Sequence, residues 1–322
     1  MMNAFLVAAM GQPPQIAQVP LPEPGTGEVL IEVAACALNF ADLLMAEGTY
    51  QETPEPPFAL GMEVAGRVIG LGAGTSGPAI GTPVMAFCGS GGLAGRVAVD
   101  AARVIALPDG LDFATAAALP IAYGTSHLAL TRRGRLAEGE MLVVLGAAGG
   151  VGLTAVEIGA KLGARVIAVA RGEEKRAAAK RAGAAQAIEP GENLAADLKA
   201  LGGADVLYDP VGGETAEAAF RALRPLGRHL VIGFAAGRPP AIRLNHALVK
   251  NVDVVGFYWG GYMAFDPDPL QESLRQIADW AAAGEIAPHI GLRLPFERAE
   301  EGLQALRARR VTGKVVVELS PA

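Results

Sequence analysis

Residues 141–171 read MLVVLGAAGGVGLTAVEIGAKLGARVIAVAR, and their glycine spacing is the strongest chemical signal in the chain. Gly146, Gly149 and Gly152 separate a continuous apolar run from a helical stretch. With Ala147 in first place the turn reads A-x-G-x-x-G at 147, 149 and 152. Glycines there let the backbone turn sharply and approach a pyrophosphate, while the free amides at the helix start bind its negative charge. A strand precedes the turn, and a helix and a second strand follow at the right distances. Ala147, Ala148, Gly149, Gly150, Val151 and Gly152 are therefore the expected pyrophosphate cradle. About twenty residues further on, an acid would bond the ribose hydroxyls of NAD. Here Ala170 holds that place, Arg171 follows it, and Lys175 comes soon after. A carboxylate would repel a 2′-phosphate and these cations would neutralise one, so the expected cofactor is NADPH. Glu173 and Glu174 fit the first turn of the next helix, whose dipole favours acids.

A second group lies in ALNFADLLMAEGTY, residues 37–50. Asn39 both donates and accepts hydrogen bonds, which suits a nicotinamide carboxamide or an acceptor carbonyl. Tyr50 is a neutral donor at pH 7, fit to orient an acceptor oxygen or relay a proton. Asp42 suits fixing the loop or orienting a neighbour better than acting as a base. Of the histidines, His127 reads as a packed core or interface residue, and His246 and His289 have no nearby partner in sequence that points to catalysis.

These residues need elements to hold them. The first hundred or so residues read as strands and turns: EVLIEVAACAL (28–38) is rich in Val, Ile and Leu, and VAGRVIGLG (64–72) has the glycine punctuation of a bent, closely packed strand. From about residue 124 the pattern alternates. MLVVLGA is a buried parallel strand, 151–162 a helix, ARVIAVA a strand, and EEKRAAAKRAG a helix stopping at Gly183. ADVLYDPVG, GRHLVIGFA and VDVVGFYW continue as strands, with a helix in GETAEAAFRAL. Such alternation implies right-handed crossovers and a doubly wound sheet. The tail holds a helix, DPLQESLRQIADWAAAG, and a last strand, GKVVVEL.

Composition narrows the classes. With 51% hydrophobic and 19% charged residues the chain is globular, and its 322 residues suffice for two domains. A net charge of −6 argues against a nucleic-acid or anionic-membrane surface. Cys36 and Cys88 are too few for a four-cysteine zinc site and read as buried thiols of a cytoplasmic protein. FATAAALPIAYGTSHLALT (113–131) lacks Asp, Glu, Lys and Arg. Pro120, Gly124 and His127 divide it, however, into two helical segments of a soluble protein.

With these pieces placed, the chain resembles the medium-chain dehydrogenase/reductase superfamily, and within it the zinc-independent quinone oxidoreductases. The likeness runs nearly end to end through NFADLLMAEGTY, PFALGMEVAGRVIGLG, LPIAYGTSHLAL, GAAGGVG, DPVGG, VVGFYWGGY and RRVTGKVVV. It implies an α/β protein: a Rossmann doubly wound parallel sheet at 124–261, and a GroES-like mainly β catalytic domain at 1–123 and 262–322. Where the alcohol-dehydrogenase branch has a Cys-His pair, this chain has Asn39 and Phe40, and the histidine of the Gly-His-Glu motif is Met62. LPIAYG has no cysteine for the remaining ligand, so no metal is expected. The resemblance further implies nicotinamide-end contacts from Thr125, Gly233, Phe234, Phe257 and Trp259, a 2′-phosphate contact from Arg309, and a homodimer. Relatives often have two serines where this chain has Arg171 and Gly172, and a tyrosine where it has Pro190.

The reaction left to such a site is hydride transfer from NADPH to an acceptor that needs little polarisation, a quinone or similar conjugated compound. Two rivals share the scaffold. One is ene reduction of an enoyl thioester or an α,β-unsaturated carbonyl compound. The other is a non-catalytic NADPH-binding or structural protein.

Overall fold

The computed structural model describes residues 1–319. They form two compact units, one made of residues 1–121 with the chain from Pro267 onward, the other of 122–266. The sequence reading puts these divisions at 123/124 and 261/262, and local bonds lie beside both. The Ile121 amide donates to Glu63 inside the first unit at 2.7 Å, and Asp266 pairs with Arg132 inside the second at 2.7 Å.

The first unit contains β1 (Met2–Val7), β2 (Gln15–Val19), β3 (Glu28–Leu38), β4 (Phe58–Ala59), β5 (Glu63–Leu71), β6 (Pro83–Phe87), β7 (Arg96–Asp100) and β8 (Val104–Ala106). The second holds β9 (Met141–Leu145), β10 (Arg165–Val169), β11 (Gln186–Ile188), β12 (Ala204–Asp209), β13 (Leu223–Val231) and β14 (Asp253–Gly256), and the chain then returns to the first for β15 (Ile290–Pro295) and β16 (Lys314–Glu318).

In the first unit β2-β1-β4 make a small sheet, and a larger one runs β15-β16-β3-β5-β6-β8 with β7 also on β3. The last strand thus lies between β15 and β3, next to the edge of a sheet begun near the N-terminus. Strand β3 alternates buried and half-buried residues until Ala35, after which Ala35–Leu38 are all buried. Its neighbours set the register there: Val315 lies opposite Leu38, and Glu63 lies opposite Ala37. Lys314, Asn39 and Glu63, far apart in sequence, therefore end at one sheet end.

The second unit is a six-stranded sheet ordered β11-β10-β9-β12-β13-β14, every neighbouring pair parallel. All five residues of β9 are buried, as an apolar run in a sheet covered on both faces demands. Two strand readings need correction. Strand β13 begins at Leu223, before GRHLVIGFA, and β14 stops at Gly256, so Phe257 and Trp259 lie beyond it. Phe257 N–H still bonds Val231 O at 3.1 Å, but there the ladder with β13 ends. The segment 113–131 forms two helices, Phe113–Ala117 and Pro120–Leu128, broken before Pro120, and runs on into a π-helical turn, Ala129–Arg133. Among the described residues no helix is long and apolar enough to cross a membrane.

Candidate functional site

The glycine turn sits between β9 and the helix Gly150–Lys161. Gly146 has φ +58°, a left-handed backbone that favours glycine. A Cβ on Gly152 would stand 2.2 Å from the Gly146 carbonyl oxygen, so that position admits no side chain. Gly149 caps the helix without a side-chain hydrogen bond of its own, and its amide is tied back to Gly146 O at 2.9 Å. The result is a twelve-residue helix whose first amides open beside a backbone stripped of side chains. A pyrophosphate fits this cradle by charge and by space. Ala147 and Ala148 are buried, Gly149 is exposed, and Gly150 and Val151 are half-buried.

At the end of β10, Ala170 is buried and Arg171 exposed. Glu173 and Glu174 occupy the first turn of the helix Glu173–Arg181. Sequence reading missed Glu189, just beyond β11, whose carboxylate accepts from the Gly172 amide at 3.1 Å and pairs with Arg176. The scan along one strand for an acid does not see an acid delivered by the neighbouring strand.

Beyond β12, Asp209 organises the next turn. Its Oδ1 accepts from the amides of Val211 at 2.9 Å and Gly212 at 2.8 Å, and its Oδ2 accepts from His229 Nε2 at 2.9 Å. Both side chains are wholly buried, and a carboxylate partner requires the imidazole proton on Nε2. The Asp209 carbonyl accepts from Ile232 and Gly233, which ties the Gly233–Phe234 segment to this turn. Phe234 is 45% exposed, whereas Thr125, Phe257 and Trp259 are buried. Trp259 packs on Gly124, where an added Cβ would lie 2.7 Å from its Nε1. His229 had a signal in sequence after all, as a polar residue inside an apolar parallel strand that had to find a partner.

The first unit carries the other group. Asn39 precedes the short helix Phe40–Ala46, and its amide N–H donates to Asp42 Oδ2 at 2.7 Å. Asp42 Oδ1 accepts from the Gly61 amide at 3.0 Å, so Asp42 holds the loop from two sides. Burial pushes its carboxyl up to about 6, against these two amides and Lys314, which favour the ionised form. The Asn39 side chain donates from Nδ2 to Glu63 Oε1 at 2.8 Å and accepts at Oδ1 from Lys314 Nζ at 2.8 Å. Lys314 also donates to Glu63 Oε1 at 2.7 Å and to Leu38 O at 3.2 Å, and Glu63 Oε2 takes the Ile121 amide. All three ammonium protons therefore have partners, in a pair that is 3% and 0% exposed.

This changes the reading of Asn39: its amide is largely engaged inside the unit, and one Oδ1 lone pair is left for a ligand. Glu63 and Lys314 went unseen in the sequence because their meeting depends on strand register across 251 positions. Tyr50 is half-buried in the segment after the helix, and its carbonyl accepts from Thr53 Oγ1. Arg309 belongs to this first unit and is exposed, with a left-handed φ of +53°. Burial pushes the thiols of Cys36 and Cys88 well up. Among the described residues no three His, Cys, Asp or Glu side chains cluster to hold a metal ion.

Comparisons with known proteins give the family and the fold. Residues 25–109 match the alcohol dehydrogenase GroES-like domain family, and residues 150–282 match the zinc-binding dehydrogenase family. A quinone oxidoreductase-like protein 2 homolog from Nematostella vectensis is 35% identical over 91% of this chain and 82% of its own. A quinone oxidoreductase from Thermus thermophilus, solved alone and with NADPH, is 34% identical with a TM-score of 0.87, over 99% of this chain and 100% of that one. A mycobacterial protein solved with NADPH is 28% identical over 99% of this chain and 100% of that one, with a TM-score of 0.92.

Proposed function

Because the chain belongs to the quinone oxidoreductase-like proteins of the medium-chain dehydrogenase/reductase superfamily, we propose that it is a zinc-independent, NADPH-dependent oxidoreductase acting on a quinone or similar conjugated acceptor. The observation that carries the acceptor class is the bonding around Asn39. Asn39, Phe40 and Met62 stand where the zinc branch has ligands, and the one cation in the network, Lys314, already has three partners. No free positive charge in that network polarises a simple carbonyl, which favours acceptors whose reduced form is stabilised by delocalisation.

NADPH, when bound, supplies the hydride. The turn from Gly146 to Gly152 holds the pyrophosphate, with Arg171 and Lys175 toward the 2′-phosphate. Gly233, Phe234, Thr125, Phe257 and Trp259 serve the nicotinamide end. Arg309 is assigned a phosphate contact. Tyr50 orients the acceptor oxygen or passes it a proton, and Asp42 fixes the loop that carries Asn39.

The chain acts as a homodimer in this reading. Among the described residues strand β14 pairs only with β13, and it leaves an edge on which Val254 is 47% exposed. The helix Leu244–Lys250 before it has no buried residue, and Leu248 is 77% exposed. Edges of this kind are stabilised by pairing about a two-fold axis. A monomeric mass at micromolar concentration removes the dimer.

NADPH oxidation, followed spectroscopically with ortho- and para-quinones, an enal, an enone and an enoyl thioester, tests the reaction, with NADH in parallel. Turnover with quinones is expected. Turnover confined to the enal, enone or thioester moves the function to ene reduction, and tight NADPH binding without any turnover leaves a binding protein. Tyr50→Phe is expected to lower turnover by about a hundredfold if the phenol passes a proton, and unchanged turnover with every acceptor removes that role.

A further inference from the structure

The nucleotide end of the second unit holds an acid that the proposed reaction does not use. Beyond β10 the Ala170 amide donates to Ile188 O at 3.1 Å, which joins the segment entering the Arg171 loop to the end of β11. One residue later comes Glu189. Its carboxylate takes the Gly172 amide on one oxygen and Arg176 on the other. Its side chain is 56% exposed, so it meets solvent and any ligand there. Gly172 has φ +80°, and nothing lies within 4 Å of where its Cβ would be, which leaves that backbone open to approach.

We propose that Glu189 sets how strongly this chain prefers NADPH to NADH, by occupying the Gly172 amide and the Arg176 guanidinium that a 2′-phosphate would otherwise bind. The inference rests on the reading of this end as the site of the adenosine ribose. An acid near the end of the second strand accepts from ribose hydroxyls and repels a 2′-phosphate. Ala170 cannot do this, but Glu189 reaches the same loop from the adjacent strand. The Gly172 amide, then Arg176 and Arg171, hold its carboxyl below the usual carboxylate range, so it is ionised at neutral pH. Arg171 and Lys175 draw the phosphate in, and Glu189 opposes them through shared donors. The balance is a graded preference in place of absolute selectivity.

The test is a direct titration of the full-length protein with NADPH and with NADH, read by nucleotide fluorescence, for the wild type and for E189Q. The glutamine keeps one acceptor for Gly172 and puts an amide NH2 where the oxygen that took Arg176 stood, so it removes the charge and releases Arg176. The dissociation constant for NADPH is expected to fall by about tenfold and that for NADH to stay level or rise, since one exposed like charge near the phosphate is removed. The gain should shrink in high salt. E189A serves as a second variant, with the same direction expected. An unchanged ratio of the two constants overturns the role of Glu189 while leaving the dinucleotide site intact. Weaker NADPH binding in both variants also overturns it and makes Glu189 a support for the phosphate. A wild type that binds neither nucleotide overturns the site itself, and this inference with it.

Discussion

The two units build their functional regions from different materials. The second uses backbone: a glycine turn, a helix start and an Asp209 side chain that caps amides. The first uses side chains, with Asn39, Glu63 and Lys314 bonded to one another across three strand ends and Asp42 bracing the loop. A backbone site tolerates changes of side chain but not of space. A buried side-chain network tolerates neither loss of a partner nor loss of a charge. The same kind of substitution should therefore hurt stability in the first unit and nucleotide binding in the second.

The largest expected effect is at Lys314. Lys314→Met leaves the buried Glu63 side chain without its cation, which should cost about 3–5 kcal/mol of stability. Adding Glu63→Gln removes the orphaned acid and should recover a good part of that loss. Urea unfolding of the two single variants and the double variant measures it. Strict additivity would mean that the pair is not coupled and would break the contrast between the units.

Asp42 sharpens the contrast through pH. Its folded value of about 6 lies above the ordinary 3.8, mainly because burial disfavours the charge. A raised carboxyl binds its proton more tightly in the native state. Its contribution to stability is therefore full below about pH 4 and is lost as the pH rises through 6, by about 3 kcal/mol. Asp42→Asn has no such titration, although it disturbs the bonds to Asn39 and Gly61. The stability of the wild type relative to this variant should fall between pH 4 and pH 7. A flat difference would show that the two amides hold the carboxylate as easily as water does.

In the second unit Gly152→Ala tests space. The added methyl meets the Gly146 carbonyl oxygen at 2.2 Å, so the turn must shift. A cost of about 2 kcal/mol is expected from the strain, less than at Lys314, together with loss of measurable NADPH binding. Native-like binding by this variant would remove the cradle from that turn.

Legibility in the sequence follows the same divide. The doubly wound sheet and the glycine turn could be read because their signals are local: an apolar run, a glycine spacing and helical stretches in order. The place of Glu173 and Glu174 in the first turn of their helix was legible for the same reason. Strand ends were less so, as at Leu223 and Gly256, because ladders stop for tertiary reasons. Glu63 and Lys314 were illegible because a charged residue in a strand looks like any solvated one until register buries it. Glu189 was hidden by strand order, since the sheet places β11 beside β10, and Asn39 was visible while the partners that engage its amide were not.

His229 is the smallest effect and the finest test, because it is a side-chain bond placed in the backbone-built unit. Its Nε2 donates to Asp209, while its buried Nδ1 has no partner among the described residues. His229→Leu loses a hydrogen bond to a buried carboxylate but also removes an unsatisfied acceptor, and the two changes oppose one another. Asp209 keeps its two backbone donors at Val211 and Gly212. The net loss should be about 1 kcal/mol, with the Gly233–Phe234 segment loosened more than the Gly146–Gly152 turn. Amide hydrogen exchange resolves the two: faster exchange at Ile232 and Gly233, with Gly149–Gly152 unchanged, places His229 as a support for one turn. A loss as large as that at Lys314 would mean that the second unit, too, depends on a buried side-chain pair, and the distinction between the units would fall.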